Sequence, residues 1–182
     1  MRIRECRVAG QISLALVPEG PIGASLLQSV FNHARQYVVE SFGHGLSGAE
    51  GRQLFELLHR DVDATEHRVY AINLHNGVSK VIGFVTLGLG YSHWDGGYIH
   101  FMVLDERYRG QGYAGRAVQL LEEIARAETS KMRLKAYPPE SEVVNFWCAL
   151  GYVQTGRFPV SFEPLEGAPS EYTMLEKHFT PS

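Results

Sequence analysis

The feature that most constrains the fold of this chain is the segment from Tyr98 to Ala127, where a strand, a glycine-bearing turn and a helix follow one another. Its first part, YIHFMVL from Tyr98 to Leu104, is almost entirely apolar or aromatic, which predicts a strand buried on both faces. After the turn, small and apolar residues recur at helical spacing from Ala114 to Ala125, which predicts an amphipathic helix. The segment therefore predicts a layered fold in which this helix packs against a sheet.

The turn between the predicted strand and helix is suited to binding an anion. The first amides of a helix lack intrahelical partners and lie at the positive end of the helix dipole, so a phosphate or pyrophosphate is a natural ligand. Gly110 and Gly112 allow a close approach of the backbone, and the small residue Ala114 leaves the next turn accessible. Arg109 adds a positive charge at the edge of the turn.

Three phosphate-binding patterns can be compared with this turn. The Walker pattern, which requires Gly-Lys-Ser/Thr, does not occur in the chain. The Rossmann pattern G-x-G-x-x-G fits Gly110–Gly115 literally, but it normally follows the first strand through a short turn, whereas here a charged DERYR linker precedes it past mid-chain. The third pattern, Arg/Gln-x-x-Gly-x-Gly/Ala, fits Arg109, Gly112 and Ala114; it is the pyrophosphate loop of acyl-CoA-dependent acetyltransferases.

With these residues in place, the chain resembles the GNAT superfamily of N-acetyltransferases. The resemblance rests on the strand, turn and helix, on the strand RLKAY after them, and on the helix ending in NFWCALGY. It also covers the predicted element order: a strand at ISLALV within residues 3–17, a helix from Ala24 to Phe42, a second helix to about Arg60, three strands, a helix, a strand, a helix and two strands. The first two of the three strands are predicted to form a hairpin at Asn76 and Gly77. We therefore expect one α/β (α+β) domain over residues 1–182, with a mixed, mostly antiparallel sheet, a splayed parallel pair in the middle and four flanking helices.

The resemblance also implies a cofactor site for acetyl-CoA, the acyl-donor cosubstrate of the family. In the family, backbone groups at the end of the central strand pair with pantetheine, and the loop amides hold the pyrophosphate. The matching strand positions are Met102, Val103 and Leu104. The matching loop positions are Arg109, Gly110, Gln111, Gly112, Tyr113, Ala114 and Gly115.

The chain departs from the family pattern at the helix before Gly151. Many members carry a tyrosine four residues before a glycine-aromatic pair, where it can protonate the departing thiolate. Here the pair is Gly151-Tyr152, and the tyrosine slot holds Trp147. Indole is an N–H donor and not a useful acid, so the sequence leaves the general acid open. A frequent asparagine seven residues earlier is replaced by Glu140. We expect Cys148 to be a small buried residue and not a nucleophile.

A primary amine also has to lose a proton before it attacks a thioester, because its reference pKa is about 10.4. His100 is the predicted general base, since it lies on the central strand and on the same face as Tyr98. Tyr98 and Tyr137 are weaker candidates. In this fold the first two helices build the acceptor pocket, and acidic residues there, Asp61 among them, offer charge for a cationic acceptor.

Composition narrows the other possibilities. The net charge is −3 and no basic cluster occurs, so we expect no nucleic-acid partner. No apolar run is long enough to span a membrane, and no signal peptide is recognisable. Two cysteines do not form a disulfide framework, which favours the cytoplasm. We predict no metal site, and the last strand pair offers a possible homodimer contact.

The sequence therefore predicts an N-acetyltransferase that transfers an acetyl group from acetyl-CoA to a primary amine by direct attack. A small-molecule amine is favoured over a protein amine, and the acceptor and the acyl chain length stay open. The alternative is a non-catalytic acyl-CoA-binding or regulatory module, for which Trp147 is the main argument. A dinucleotide-binding protein of the Rossmann type is a more distant third.

Overall fold

A computed structural model describes residues 5–9, 11–42, 45–61, 63–136, 142–159 and 170–179, with the side chains of residues 5–9 and 40–42 left aside. The strands are β1 Glu5–Ala9, β2 Ile12–Leu16, β3 Glu66–Asn76, β4 Val78–Leu89, β5 Gly97–Ile99, β6 Met102–Leu104, β7 Lys131–Ala136, β8 Val153–Pro159 and β9 Glu171–His178. The helices are α1 Pro21–Phe31, α2 Arg35–Phe42, α3 Glu50–Arg60, α4 Tyr113–Ala125 and α5 Glu142–Ala149, with a 3₁₀ turn at Glu106–Tyr108.

The strands form one mixed sheet in the order β1-β2-β3-β4-β5-β7-β9-β8, and β6 pairs with β4 outside this path. Every pairing is antiparallel except that of β5 with β7, which are joined through α4 and run parallel. The parallel pair therefore lies inside the sheet, as predicted. Asn76 and Gly77 form the tip of the β3–β4 hairpin, as the sequence also predicted, and Gly77 has a φ of +77°.

The prediction of one continuous strand from Tyr98 to Leu104 was wrong, because β5 and β6 are separated at His100 and Phe101. Gly88 pairs with Tyr98 and Val85 with Met102, so the segment from β5 to β6 carries one residue more than β4 over this interval. This extra residue forms a bulge. The buried Thr86 stabilises the bulge because its Oγ1 accepts hydrogen bonds from the amides of His100 (3.2 Å) and Phe101 (2.9 Å). An apolar run in a sequence carries no mark of such an interruption.

The predicted helix from Ala24 to Phe42 is in fact two helices, so the described chain has five α-helices and not four. Asn32 closes α1 with its amide bonded to the Gln28 carbonyl, and α2 begins at Arg35. Ala34 and Val38 stay fully buried across this kink, which is why the apolar spacing continued through it. The predicted first strand, ISLALV, is observed as β2, and the sequence missed β1, with which β2 forms a hairpin.

Two apolar layers cover the sheet, one on each face. The layer under α4 and α5 includes Ile99, Leu121 and Trp147, whereas the layer under α1, α2 and α3 includes Phe31, Phe84 and Val103. The helices α1 and α3 cross closely at Gly51, where a Cβ would lie 2.1 Å from the Ala24 carbonyl oxygen. Within the described parts of the chain, no helix combines the length and the apolar character needed to cross a membrane.

Candidate active site

The centre of the sheet opens into a gap between β6 and β7. The strands β5 and β7 pair only from Gly97 with Met132 to Ile99 with Leu134. Beyond this point β7 continues to pair with β9, whereas β6 pairs with β4 and with no other described strand. The edge of β6 that faces β7 is therefore open to an extended ligand, as an exposed strand edge is to an added strand.

The backbone direction along β6 divides the three predicted pantetheine positions. The Phe101 carbonyl accepts from Thr86, and the Asp105 amide donates to Ile82, so both of these groups point towards β4. Because successive residues of a strand point their backbone groups to opposite sides, Val103 also points towards β4. Met102 and Leu104 direct their N–H and C=O groups into the gap.

The predicted phosphate loop follows directly after β6. Gly110 and Gly112 have φ values of +72° and +79°, in the left-handed region that favours glycine. Gly112 is the N-cap of α4, and no side chain caps this helix. The amides of the first turn of α4, from Tyr113 to Gly115, thus lie at an uncapped helix N-terminus, which is the arrangement that binds phosphate groups.

A buried carboxylate fixes the linker that precedes the loop. Asp105 is 3% exposed and accepts hydrogen bonds from the backbone and the guanidinium of Arg107, with the closest contact at 2.6 Å. Burial acts to raise the pKa of Asp105, but these hydrogen bonds and the positive charge of Arg107 lower it. Arg107 is thereby held by the protein, whereas Arg109 is exposed and has no ion-pair partner among the described residues.

At the bulge, the side chain of His100 lies in a polar cluster with those of Asp61, His67 and Tyr91. The three atoms His100 Nε2, Asp61 Oδ2 and Tyr91 Oη form a triangle, with separations of 3.2, 3.0 and 3.1 Å. His67 Nε2 lies 3.3 Å from the Asp61 carbonyl oxygen and 3.7 Å from its Oδ2. The side chains of His100 and Asp61 are 20% and 22% exposed, so the cluster is only partly shielded from solvent.

The surroundings lower the proton affinity of His100 and raise that of Tyr91. The pKa of His100 is lowered to about 4, mainly by burial, with smaller contributions from the positive charges of His67 and Lys135. The Asp61 carboxylate acts in the opposite direction. Burial, assisted by the Asp61 charge, raises the pKa of Tyr91 above its usual range. At neutral pH the imidazole is therefore neutral, and the phenol keeps its proton.

The cluster exists because position 88 has no side chain. A Cβ on Gly88 would lie 2.6 Å from Tyr91 Oη, 3.0 Å from His100 Nε2 and 3.3 Å from His67 Nδ1. Sequence reasoning found His100 and included Asp61 only among acidic residues near the acceptor, and it missed His67, Gly88 and Tyr91. Nothing in their spacing could have found them, because three elements and a loop bring them together.

The ligand atoms of Asp61, His67 and His100 all lie within 4.8 Å of one another, which is compatible with a divalent cation. A metal-bound imidazole normally donates its second N–H to an acceptor. His67 Nδ1 is buried and has no hydrogen-bond partner in the described part of the chain. The residues therefore fit a hydrogen-bond cluster better than a metal centre, and the absence of a metal site stays a prediction.

The remaining predicted residues separate clearly. Tyr98 lies on the same face as His100, as predicted, with ring centroids 4.6 Å apart. Trp147 is 4% exposed and packs between Phe146 and Tyr152, so it is a core residue with no acid function. The prediction that Cys148 is buried was wrong, because it lies on the exposed face of α5. Tyr137 and Glu140 lie outside the described residues.

This combination of a splayed mixed sheet and a glycine loop at the start of the next helix is that of an acyl-CoA-dependent acetyltransferase. The sequence model described as the Acetyltransferase (GNAT) family matches residues 27–152. The chain therefore belongs to the GNAT acetyltransferase family. No curated protein sequence matches it significantly.

Solved structures share the fold at low sequence identity. The acetyltransferase from Salmonella typhimurium that modifies the N-terminal serine of ribosomal protein L7/L12 is 18% identical, with a TM-score of 0.74 over 96% of this chain and 99% of that one. The Microcin C7 self immunity acetyltransferase MccE, in complex with acetyl-CoA and AMP, is 15% identical, with a TM-score of 0.70 over 94% of each chain. The spermidine/spermine N-acetyltransferase SpeG from Vibrio cholerae is 15% identical, with a TM-score of 0.65 over 92% of each chain.

Proposed function

We propose that this protein transfers an acetyl group from acetyl-CoA to a primary amine by direct attack of the amine on the thioester. The observation that carries the proposal is the gap between β6 and β7, which has an open strand edge, the glycine loop at one end and His100 at the bulge. Such a gap can hold an extended acyl-CoA with its thioester close to the bulge. The alternative, a non-catalytic acyl-CoA-binding module, would use the same gap without the cluster.

On the donor side, the proposed contacts are made mainly by backbone. Met102 and Leu104 would pair with the pantetheine arm, and the amides from Gly110 to Gly115 would hold the pyrophosphate. Arg109 is free to add charge at the edge of the loop. A backbone amide near the bulge would polarise the thioester carbonyl and stabilise the oxyanion that forms on attack.

On the acceptor side, His100 is the proposed general base. Its pKa is lowered to about 4, so the imidazole is neutral and able to accept a proton across the physiological range. A low pKa also makes it a weak base for a free amine whose pKa is about 10. The amine must therefore be held beside the cluster, where the Asp61 carboxylate stabilises the imidazolium that forms.

A small cationic amine is the proposed acceptor. A cavity of about 590 Å³ opens beside Tyr91, and its lining includes the carboxylate of Asp95, whereas the carboxylates of Glu66 and Glu128 in the same lining are paired with Arg68. This volume is within the range of small-molecule sites, roughly 300 to 1,000 Å³. The similar structures include enzymes described as acting on a protein N-terminus and on polyamines, so both kinds of acceptor belong in the test.

The first experiment is a calorimetric titration with acetyl-CoA, CoA and NAD, followed by an assay of thiol release with small amines and with peptides bearing free N-termini. Gly112→Glu should abolish binding of acetyl-CoA and CoA, because it places a carboxylate in the phosphate loop. Gly77→Glu is the matched control, since Gly77 has nearly the same φ and the same open surroundings but lies in a distant hairpin.

Each outcome of these two assays has a defined meaning. Binding that is lost in Gly112→Glu and kept in Gly77→Glu, together with turnover of an amine, supports the proposed function. Binding without turnover of any amine supports the non-catalytic alternative. Absence of acyl-CoA binding, or NAD binding that acetyl-CoA does not compete away, contradicts the proposed cofactor site.

A further inference from the structure

The geometry of the triangle formed by His100, Asp61 and Tyr91 indicates which imidazole nitrogen carries the proton. Tyr91 Oη donates to Asp61 Oδ2 at 3.0 Å, and the raised pKa of Tyr91 keeps that proton on the phenol. His100 Nε2 faces both of these oxygens, at 3.2 Å from Asp61 Oδ2 and 3.1 Å from Tyr91 Oη. An ionised carboxylate only accepts hydrogen bonds, and the phenol has already committed its single proton.

A lone pair on Nε2 would therefore face two oxygen atoms that offer it no proton. Placing the imidazole proton on Nε2 gives this atom an acceptor in Asp61 and a second one in the free lone pair of Tyr91. A neutral imidazole has one N–H and one lone pair, so the lone pair must then lie on Nδ1.

We propose that Asp61 is the positioning residue that holds His100 in its Nε2–H tautomer, with Tyr91 orienting the Asp61 carboxylate, so that Nδ1 is the atom that accepts the proton of the acceptor amine. The tautomer follows from the geometry alone, and only the role of Nδ1 rests on the proposed function. When the proton leaves the amine nitrogen and binds Nδ1, the Nε2–H bond stays directed at Asp61. The new positive charge then lies against a carboxylate, as in other carboxylate–histidine pairs.

The other groups around the imidazole do not supply a proton donor to Nε2 that would favour a lone pair on this atom. His67 on β3 packs edge-on against His100, with centroids 5.3 Å apart, and its own Nε2 lies beside the Asp61 carbonyl. Tyr98 packs against the ring from the same strand. Lys135 on β7 is exposed and acts only by its charge, which lowers the pKa of His100.

The direct test is a two-dimensional NMR spectrum of the full chain with ¹⁵N-labelled histidine, after removal of metal ions with a chelator. The spectrum distinguishes a protonated ring nitrogen from one with a lone pair, and the signals of His100 are assigned by their loss in His100→Gln. We expect Nε2 of His100 to be protonated and Nδ1 to carry the lone pair at pH 7. Protonation of Nδ1 in the unaltered protein would overturn the proposal.

Two variants separate positioning from general stability. Asp61→Asn removes the carboxylate acceptor, and we expect a mixture of both tautomers or a switch to Nδ1–H. Tyr91→Phe leaves Asp61 in place, and the Nε2–H tautomer should persist. Glu56→Gln is the matched control, because Glu56 lies on the exposed face of α3 beside Arg52 and should leave the His100 signals unchanged. A His100 spectrum that does not respond to Asp61→Asn also contradicts the proposal.

Kinetics then test the role of Nδ1. Asp61→Asn should lower kcat on the order of 100-fold, with the KM for acetyl-CoA unchanged, whereas Glu56→Gln should leave both within a factor of about two. The acidic limb of kcat/KM should move to lower pH in Asp61→Asn, because the carboxylate raises the pKa of His100. If the unaltered protein shows the expected tautomer but turns over no amine, the proposed function fails while the tautomer assignment stands. An unchanged kcat in Asp61→Asn overturns the positioning role.

Discussion

The two sides of the proposed active site are built in different ways. The donor side, from Met102 to Gly115, is one continuous stretch of chain that presents backbone groups at a strand edge and a helix N-terminus. The acceptor side takes single side chains from the end of α3, from β3, from the loop after β4 and from the bulge. One side is a local feature of the chain, and the other exists only when the sheet is assembled.

This difference determines how each side should respond to substitution. Backbone contacts on the donor side depend on chain geometry, so changes of the exposed side chains between Met102 and Gly115 should mostly be tolerated. Changes at the glycines with positive φ, or at the buried Val103 and Asp105, should not be. The acceptor cluster depends on atoms placed within about 3 Å of one another. Single substitutions in the acceptor cluster should therefore affect turnover far more than acetyl-CoA binding.

The largest effect is expected for His100→Gln. If His100 is the base, the loss of its lone pair should reduce kcat by roughly 100-fold or more, while the affinity for acetyl-CoA changes by less than about threefold. Thiol-release kinetics and calorimetry give the two quantities. His59→Gln is the control, because His59 is an exposed histidine on α3 with a surface partner, Glu19. A similar loss of acetyl-CoA affinity in His100→Gln would show that the two sides are not separable.

A smaller but still selective effect is expected for Gly88→Ala. The added Cβ would lie between Tyr91 Oη and His100 Nε2, so it should push the cluster apart and lower kcat about tenfold or more. Gly45→Ala is the control, since a Cβ at this position meets no atom within 4 Å. If Gly88→Ala kept full kcat at unchanged stability, the cluster geometry would not matter for turnover.

The contrast between the sides also explains what the sequence could predict. The loop from Arg109 to Gly115 was found because glycine spacing, strand and helix are contiguous, and local patterns report local geometry. His100 was found because it lies on the central strand. Its partners could not be found, because His67, Gly88 and Tyr91 come close to it only through the pairing of β3, β4 and β5.

The errors in the fold have a related cause. The bulge at His100 depends on the side chain of Thr86 in a neighbouring strand, so no pattern within YIHFMVL could reveal it. The break between α1 and α2 was missed because the buried residues Ala34 and Val38 preserve the helical spacing across the kink. In both places, tertiary contacts override a local periodicity that remains intact.

The helix α3, which ends beside Asp61, begins at the buried carboxylate of Glu50. Glu50→Gln tests how much this carboxylate contributes to stability. Burial would raise the pKa of Glu50, but hydrogen bonds from Ser47 and Gln28 outweigh burial and lower it to about 2. Because the pKa of Glu50 is lowered, its carboxylate stabilises the fold at pH values above the usual carboxyl pKa of 4.5, and this contribution is lost as the pH falls towards 2.

We therefore expect Glu50→Gln to lower the free energy of unfolding by about 2 kcal/mol at pH 7. The difference from the unaltered protein should shrink between pH 4.5 and about 2. Urea unfolding across this range measures both effects. Glu56→Gln on the exposed face of the same helix is the control and should change stability by less than about 0.5 kcal/mol. A constant difference at every pH would mean that the hydrogen bonds do not depend on the charge of Glu50.

The smallest effect is expected for Cys148→Ser, which asks whether the reaction needs any covalent step on the protein. Cys148 is an exposed thiol on α5, and among the described residues no hydrogen bond links it to His100 or to the other residues of the cluster. If the amine attacks the thioester directly, kcat should stay within about twofold, and initial rates should show a sequential pattern in which both substrates bind before either product leaves. A ping-pong pattern, or an acetylated Cys148 in mass spectra of the protein mixed with acetyl-CoA alone, would contradict direct attack. The acceptor cluster would then have to act on an acyl-enzyme, and its separation from the donor side would no longer hold.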